Sequence, residues 1–329
     1  MKRIKIFSLG GTISASVSHQ TDYKDYKTGA YGASYWKETL PELENIADID
    51  WQDPISISSA AITGAILLEL REQVQKALLE EAYDAVVITQ GTSTLEETAY
   101  FLHLSVATKK PIVLTGAQRP SGTYGSDARS NLLQAVEVAC SSKSVGKGAL
   151  VVFNSKIYPA REVVKTDTYT LESFQSPNAG PIGQVQADGN IVFFQESLYK
   201  HTLQSEFSSL EISKLPKVEM LLSYPDASAK FLELIASDKE IQGVILLGVG
   251  AGLPASTQED GILKCIEAGK IVVRASRCNT GEVLPTTAHP SDKFLAAGNL
   301  SPQKARILLQ LALCKSKDLK QLQKWMQEH

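Results

Sequence analysis

Seven short, almost uninterrupted apolar runs, at 4–9, 85–89, 111–115, 149–154, 218–222, 244–249 and 271–275, set the tightest limit on how this chain can fold. None alternates between apolar and polar residues, so neither face of the strand each one predicts can be left to water. Stretches of helical character separate them, at 66–79, 95–104, 131–140, 229–235 and 261–268. Strands buried on both faces and joined through helices make a doubly wound α/β protein with mostly parallel sheets.

The rhythm breaks once. Asp188-Gly189-Asn190 is a turn signal, and a hydrophilic stretch follows through Lys200, His201 and Ser205 to Ser209. This stretch is read as a linker over 188–214, between a larger N-terminal α/β catalytic domain at 1–187 and a smaller C-terminal α/β domain at 215–329. In the tail, Ser301-Pro302 predicts an N-cap followed by proline at the first helical position. A last amphipathic segment, 319–326, with Leu322 and Trp325 on one face, predicts a docked terminal helix.

Composition closes off several functions. With 33 Lys+Arg against 36 Asp+Glu the net charge is −3, and no basic block is present to neutralise phosphates, so no nucleic-acid partner is expected. No apolar run approaches the ~20 residues of a membrane helix. The opening Met1-Lys2-Arg3-Ile4-Lys5 is too soon interrupted for a leader core, so a cytoplasmic location is expected. Cys140, Cys265, Cys278 and Cys314 are far apart, and the five histidines (His19, His103, His201, His289, His329) form no HExxH or HxxxH pair. Reduced thiols and no metal site follow. Neither GxGxxG nor GxxxxGK[ST] occurs after the first strand, and no cofactor is expected.

In an open α/β sheet, ligands lie beyond the carboxyl ends of the strands. Here those ends read Gly10-Gly11-Thr12-Ile13, Gln90-Gly91-Thr92-Ser93-Thr94 and Gly116-Ala117-Gln118-Arg119-Pro120. Glycine turns the backbone sharply and exposes amides, and the hydroxyl beside it is either a nucleophile or a ligand contact. Two such pairs at adjacent strand ends point to a hydroxyl-based active site. Thr94-Leu95-Glu96-Glu97 fits a capping box, which gives Thr94 and Glu97 a structural role at the helix start. Thr92 and Ser93 then lie just before the helix N-terminus, whose amides favour a developing oxyanion. Arg119 and Asp127 are read as loop anchors.

Gly10-Gly11-Thr12-Ile13 together with Gly91-Thr92-x-Thr94-x-Glu96-Glu97-Thr98-Ala99 resembles the two signature loops of the bacterial-type L-asparaginase/glutaminase family. The similarity continues at Gly116-Ala117-x-Arg119-Pro120, Arg161, Lys165-Thr166, Val272-Val273-Arg274, Thr280-Gly281 and Pro302-Gln303-Lys304-Ala305-Arg306, so it spans the chain. The resemblance implies a larger and a smaller α/β domain, a homo-oligomer (dimer or tetramer), and hydrolysis of a small-molecule side-chain carboxamide through an acyl-threonine. It implies Thr12 as nucleophile with Tyr26, rather than Tyr23, as its hydroxyl partner. Thr92 and Lys165 match the second pair, which orients or activates water. The carbonyl of Ala117 matches the group that holds the leaving nitrogen, and Ser59 the one that binds the substrate's α-carboxylate. Gly91 and Ser93 complete the substrate-binding set.

Four positions depart from the family pattern. Ser93 stands where an Asp is usual, Ala60 where Gln or Glu is usual, and Gly248-Val249-Gly250-Ala251-Gly252 lacks the Asn often found there. The acid that a neighbouring subunit lends has no clear match between Thr286 and Asp292, with Glu282 the nearest candidate. All four fall on groups that bind the substrate's α-ammonium in the family. A desolvated ammonium without a carboxylate partner costs several kcal/mol. The expectation is therefore an amidohydrolase for substrates lacking a free α-ammonium. An ordinary asparaginase/glutaminase and a non-catalytic ligand-binding homologue are the two alternatives.

Overall fold

The computed structural model describes residues 1–286 and 294–329. They form two compact α/β units, Met1–Ser209 and Leu210–His329.

The larger unit is built on β1 (Lys2–Ser8), β2 (Ala47–Gln52), β3 (Ala85–Thr89), β4 (Ile112–Thr115), β5 (Ala149–Phe153) and β6 (Lys156–Pro159). A separate ribbon pairs β7 (Val164–Lys165) with β8 (Phe174–Gln175), and β9 (Gly183–Val185) and β10 (Ile191–Phe193) return to the main sheet. The eight-stranded order is β10-β9-β6-β5-β4-β3-β1-β2. Strands β1 to β5 run parallel; in register, Ile6 lies beside Val87 on one side and Trp51 on the other. Every residue of β3, β4 and β5 is buried, as the uninterrupted apolar runs demand. Helices α1 (Ala33–Thr39), α2 (Gly64–Gln75), α3 (Leu95–Ser105) and α4 (Ala128–Cys140) connect the strands. Leu132, Ala135 and Val136 of α4 share one apolar core with Ile4, Val87, Val113 and Leu150 of the sheet.

The sheet turns antiparallel after β5 through Asn154 and Ser155, at φ 49° and 62°. Two consecutive positive φ values make a tight hairpin, and α4 clamps it: Asn154 N–H donates to Asn131 Oδ1, and Ser155 N–H to Gln134 Oε1.

The smaller unit has a fully parallel sheet, β11 (Lys217–Leu222), β12 (Ile241–Gly248), β13 (Ile271–Ser276) and β14 (Phe294–Ala296), in that order. Helices α5 (Lys230–Ser237), α6 (Glu259–Glu267), α7 (Pro302–Leu313) and α8 (Leu319–Glu328) belong to it. Ser301 caps α7 by accepting from the Lys304 N–H, and Asp318 caps α8 by accepting from the Gln321 N–H. α8 buries Leu322, Trp325 and Met326, the docked face its periodicity predicts.

Three features differ from the sequence reading. Ile191–Phe193, inside the stretch read as linker, is an edge strand of the large sheet, paired antiparallel with β9. Its three residues are too few to register as an apolar run. β2, with Asp48 and Asp50 in its interior, is also a strand: it is an edge, so only one side of its ladder is covered and acids are tolerated there. The Thr94 half of the capping box does not form: the Thr94 hydroxyl makes no cap bond to α3, and instead donates to the Ser59 carbonyl (2.9 Å) and accepts from Gln90 Nε2 (3.3 Å).

Candidate active site

The three glycine loops after β1, β3 and β4 meet at the carboxyl edge of the large sheet. A Cβ on Gly11 would lie 2.2 Å from the backbone of Gly91, and one on Gly116 would lie 2.6 Å from the Gln90 carbonyl oxygen. Gly11 also has φ +82°, which L side chains rarely adopt. Backbone thus packs on backbone, with the next residue of each of the first two loops a threonine. Thr12 and Thr92 each begin a short 3-10 turn.

Thr12 Oγ1 lies 2.9 Å from Tyr26 Oη. The loop carrying Tyr26 is tied at its base, where Ser16 and Lys27 exchange both backbone hydrogen bonds. Tyr26 is next to that tie, which fixes its ring against Thr12. Tyr23 points elsewhere, donating to the Tyr124 carbonyl with the Arg119 guanidinium over its ring. Tyr124 N–H reaches back to the Gln20 carbonyl, so the loop is held at its far end too.

The second pair is equally close. Lys165 Nζ donates to Thr92 Oγ1 at 2.7 Å, from the β7–β8 ribbon. Burial pushes the Lys165 ammonium below its usual pKa, opposed in part by the charges of Asp167 and Glu96. Thr92 itself is buried. Glu96, which the sequence reading carried only as a motif letter, accepts the Lys165 backbone N–H at Oε2 (3.3 Å). No local signal could reveal that contact, since its partner lies 69 residues away.

Ser59 is buried and its Oγ accepts from the Ser93 N–H at 3.2 Å. Gly91 is needed beside it, because a Cβ there would lie 2.8 Å from Ser59 Oγ. Ser93 and Ala60 are both exposed, uncharged and short. Ala117 is fully buried in the third loop. That loop is anchored by Asp127, which accepts from the backbone N–H groups of Gln118 and Arg119 and from Asn131 Nδ2. Asn131 Nδ2 also donates to the Gly116 carbonyl. Burial raises the Asp127 pKa, and those backbone hydrogen bonds work against it. Glu282 is an exposed residue of the smaller unit, and the remainder of the interval considered for a lent acid, 287–292, lies outside the described residues.

Among the described residues, no three His, Cys, Asp or Glu side chains gather where they could hold a metal ion. No helix there is long and apolar enough to cross a membrane.

Strand-end loops that present two threonines, each hydrogen-bonded to a second polar side chain, place the chain among α/β proteins with polar groups gathered at the carboxyl edge of the sheet, and comparison narrows that class. Residues 3–199 match the family model described as Asparaginase, N-terminal, and residues 217–326 the Glutaminase/Asparaginase C-terminal domain. The chain is 36% identical over 329 residues to L-asparaginase 2 of Bacillus subtilis, covering 100% of this chain and 87% of that one. It is 35% identical over 332 residues to a glutaminase-asparaginase of Pseudomonas fluorescens, covering 100% and 91%. A crystal structure titled probable cytoplasmic L-asparaginase, from Campylobacter jejuni, superposes with a TM-score of 0.96 at 35% identity and covers 100% of both chains. The chain belongs to the bacterial-type asparaginase family. It is an asparaginase-like amidohydrolase, acting on non-peptide C–N bonds.

Proposed function

We propose that this enzyme hydrolyses an asparagine-like carboxamide through an acyl-threonine on Thr12, and that its substrates lack a free α-ammonium. The observation that carries the chemistry is the pair of contacts at adjacent strand ends, Thr12–Tyr26 at 2.9 Å and Lys165–Thr92 at 2.7 Å. In the first half-reaction Thr12 Oγ1 attacks the amide carbon, with Tyr26 as the hydroxyl through which its proton leaves. Ammonia departs past the Ala117 carbonyl, and an ester remains on Thr12. In the second, a water held by Thr92 attacks the ester, with Lys165 as base, and the carboxylate product is released. Burial favours the neutral form of Lys165 that such a base requires.

The specificity reading rests on Ser59, Ser93 and Ala60. Ser59 supplies a hydroxyl for a carboxylate, whereas the exposed positions beside it, Ser93 and Ala60, offer no negative charge to an ammonium. A des-amino ω-amide, an N-substituted asparagine or glutamine, or a related lactam or imide meets that surface without an unpaired charge. The same reading takes the working enzyme to be a cytoplasmic homo-oligomer, dimer or tetramer, and routes no step through a metal or cofactor.

Ammonia release from L-asparagine and from succinamic acid, which is asparagine without its α-amino group, tests this. Succinamic acid is expected to be the better substrate, and Thr12→Ala to lower release from it by about 1,000-fold or more. Asparagine turnover at a micromolar to millimolar KM would restore the second reading, an ordinary L-asparaginase/glutaminase, which the names of the relatives favour. Silence on both directs the assay to N-substituted amides, lactams and imides.

A further inference from the structure

Lys165 is held at two points by one short stretch of chain. Its Nζ donates to Thr92 Oγ1 at 2.7 Å, and its backbone N–H donates to Glu96 Oε2 at 3.3 Å. Thr92 and Glu96 are four residues apart across the start of α3, about one helical turn, so both face the β7–β8 ribbon. On the ribbon's inner side, Thr166 N–H donates to the Ser173 carbonyl, at 2.7 Å. The Lys165 N–H points the other way, out of the two-stranded ladder, and Glu96 takes it. A two-residue strand has little ladder of its own to fix its height along α3. A carboxylate bond to its outward N–H does that.

Glu96 is almost fully buried, at 5% exposure, in the first turn of α3, where the helix dipole favours a negative charge. We propose that Glu96 is the positioning residue for Lys165, holding the β7 backbone at the register that lets the amine reach Thr92 and placing a fixed negative charge beside that amine. The inference rests on the reading of Thr92 and Lys165 as the hydrolytic pair.

The charged groups acting on Lys165 are Glu96 from α3 and Asp167 from its own ribbon; both favour the ammonium, and burial opposes them. Nearby, Arg161 and Glu162, at the turn leading into the ribbon, pair with each other. Removing the Glu96 charge leaves burial opposed by Asp167 alone. The neutral amine then persists to lower pH.

The test follows acylation of Lys165 by acetic anhydride, which reacts with the neutral amine, across a pH series with peptide mass mapping. Glu96→Gln keeps an acceptor for the Lys165 N–H and loses the charge, and its acylation profile is expected to move to lower pH. Glu96→Asp keeps the charge but shortens the reach, so ammonia release should fall about tenfold while the acylation profile stays in place. An unshifted profile in Glu96→Gln overturns the proposal, as does full activity in Glu96→Asp. Undiminished ammonia release by Lys165→Ala would instead break the reading of the hydrolytic pair. That result leaves the acylation measurement on Glu96 intact, so the two failures are told apart.

Discussion

After β1, β3 and β4 in the larger unit, and after β12 in the smaller one, the chain leaves a parallel strand through glycine. In the larger unit the glycines of different loops lie against one another: Gly11 against Gly91, and Gly116 against the carbonyl of Gln90. In the smaller unit the loop folds on itself. Val249 and Leu253 exchange backbone hydrogen bonds, a Cβ on Gly248 would lie 2.3 Å from the carbonyl carbon of Gly252, and Ser276 Oγ donates to the Gly250 carbonyl. The same residue type at the same place in the same architecture therefore does two things. Between loops, glycine sets the spacing of the side chains that follow it. Within one loop, it closes a turn. The residues that follow agree, since Thr12 and Thr92 carry hydroxyls and Val249 and Ala251 carry none.

The sharpest way to break this comparison is Gly11→Ala. The added methyl meets Gly91 backbone at 2.2 Å in a conformation with φ +82°, so the first two loops must separate. Ammonia release is expected to fall about 100-fold or more, since displacement of reacting groups by an ångström has that effect. Retained activity would show that the glycine contact does not set the spacing of the two threonines. Gly248→Ala comes next, with crowding inside one loop expected to cost about 1–3 kcal/mol in a denaturant titration. The smallest effect is expected at Gly250→Ala. Nothing lies within 4 Å of the new methyl, so only the conformation at φ +50° resists it. A loss of about 1 kcal/mol follows from backbone preference alone, and a larger one would mean that the loop is packed against something its own contacts do not show.

The sequence was most informative where burial is complete. β3, β4 and β5 lie at or within one residue of their apolar runs, because a strand covered on both faces has no choice of residue type. The edges were illegible for the opposite reason: β2 carries Asp48 and Asp50, and β10 is three residues long. At the site, the glycine–threonine pairs were visible as strand-end punctuation, but the partners of those threonines came only through the family resemblance. Tyr26 is one of several tyrosines in its region, and Lys165 alone looks like a surface residue. Thr94 misled because its local pattern is that of a cap, while in the fold its hydroxyl donates to a carbonyl 35 residues away and accepts from the Gln90 amide in place of a helix N–H. Glu96 was hidden by the same kind of distance, as its contact depends on where a two-residue ribbon docks.

That tie between the Thr94 hydroxyl and the Ser59 carbonyl bears on which side chains here are free to change. It fastens the segment around Ser59 to the segment around Ser93 without using the side chain of residue 60 or the hydroxyl of Ser93. The architecture is therefore indifferent to what those two exposed side chains are. Selection can rewrite them while the scaffold, and the threonines it presents, stay as they were.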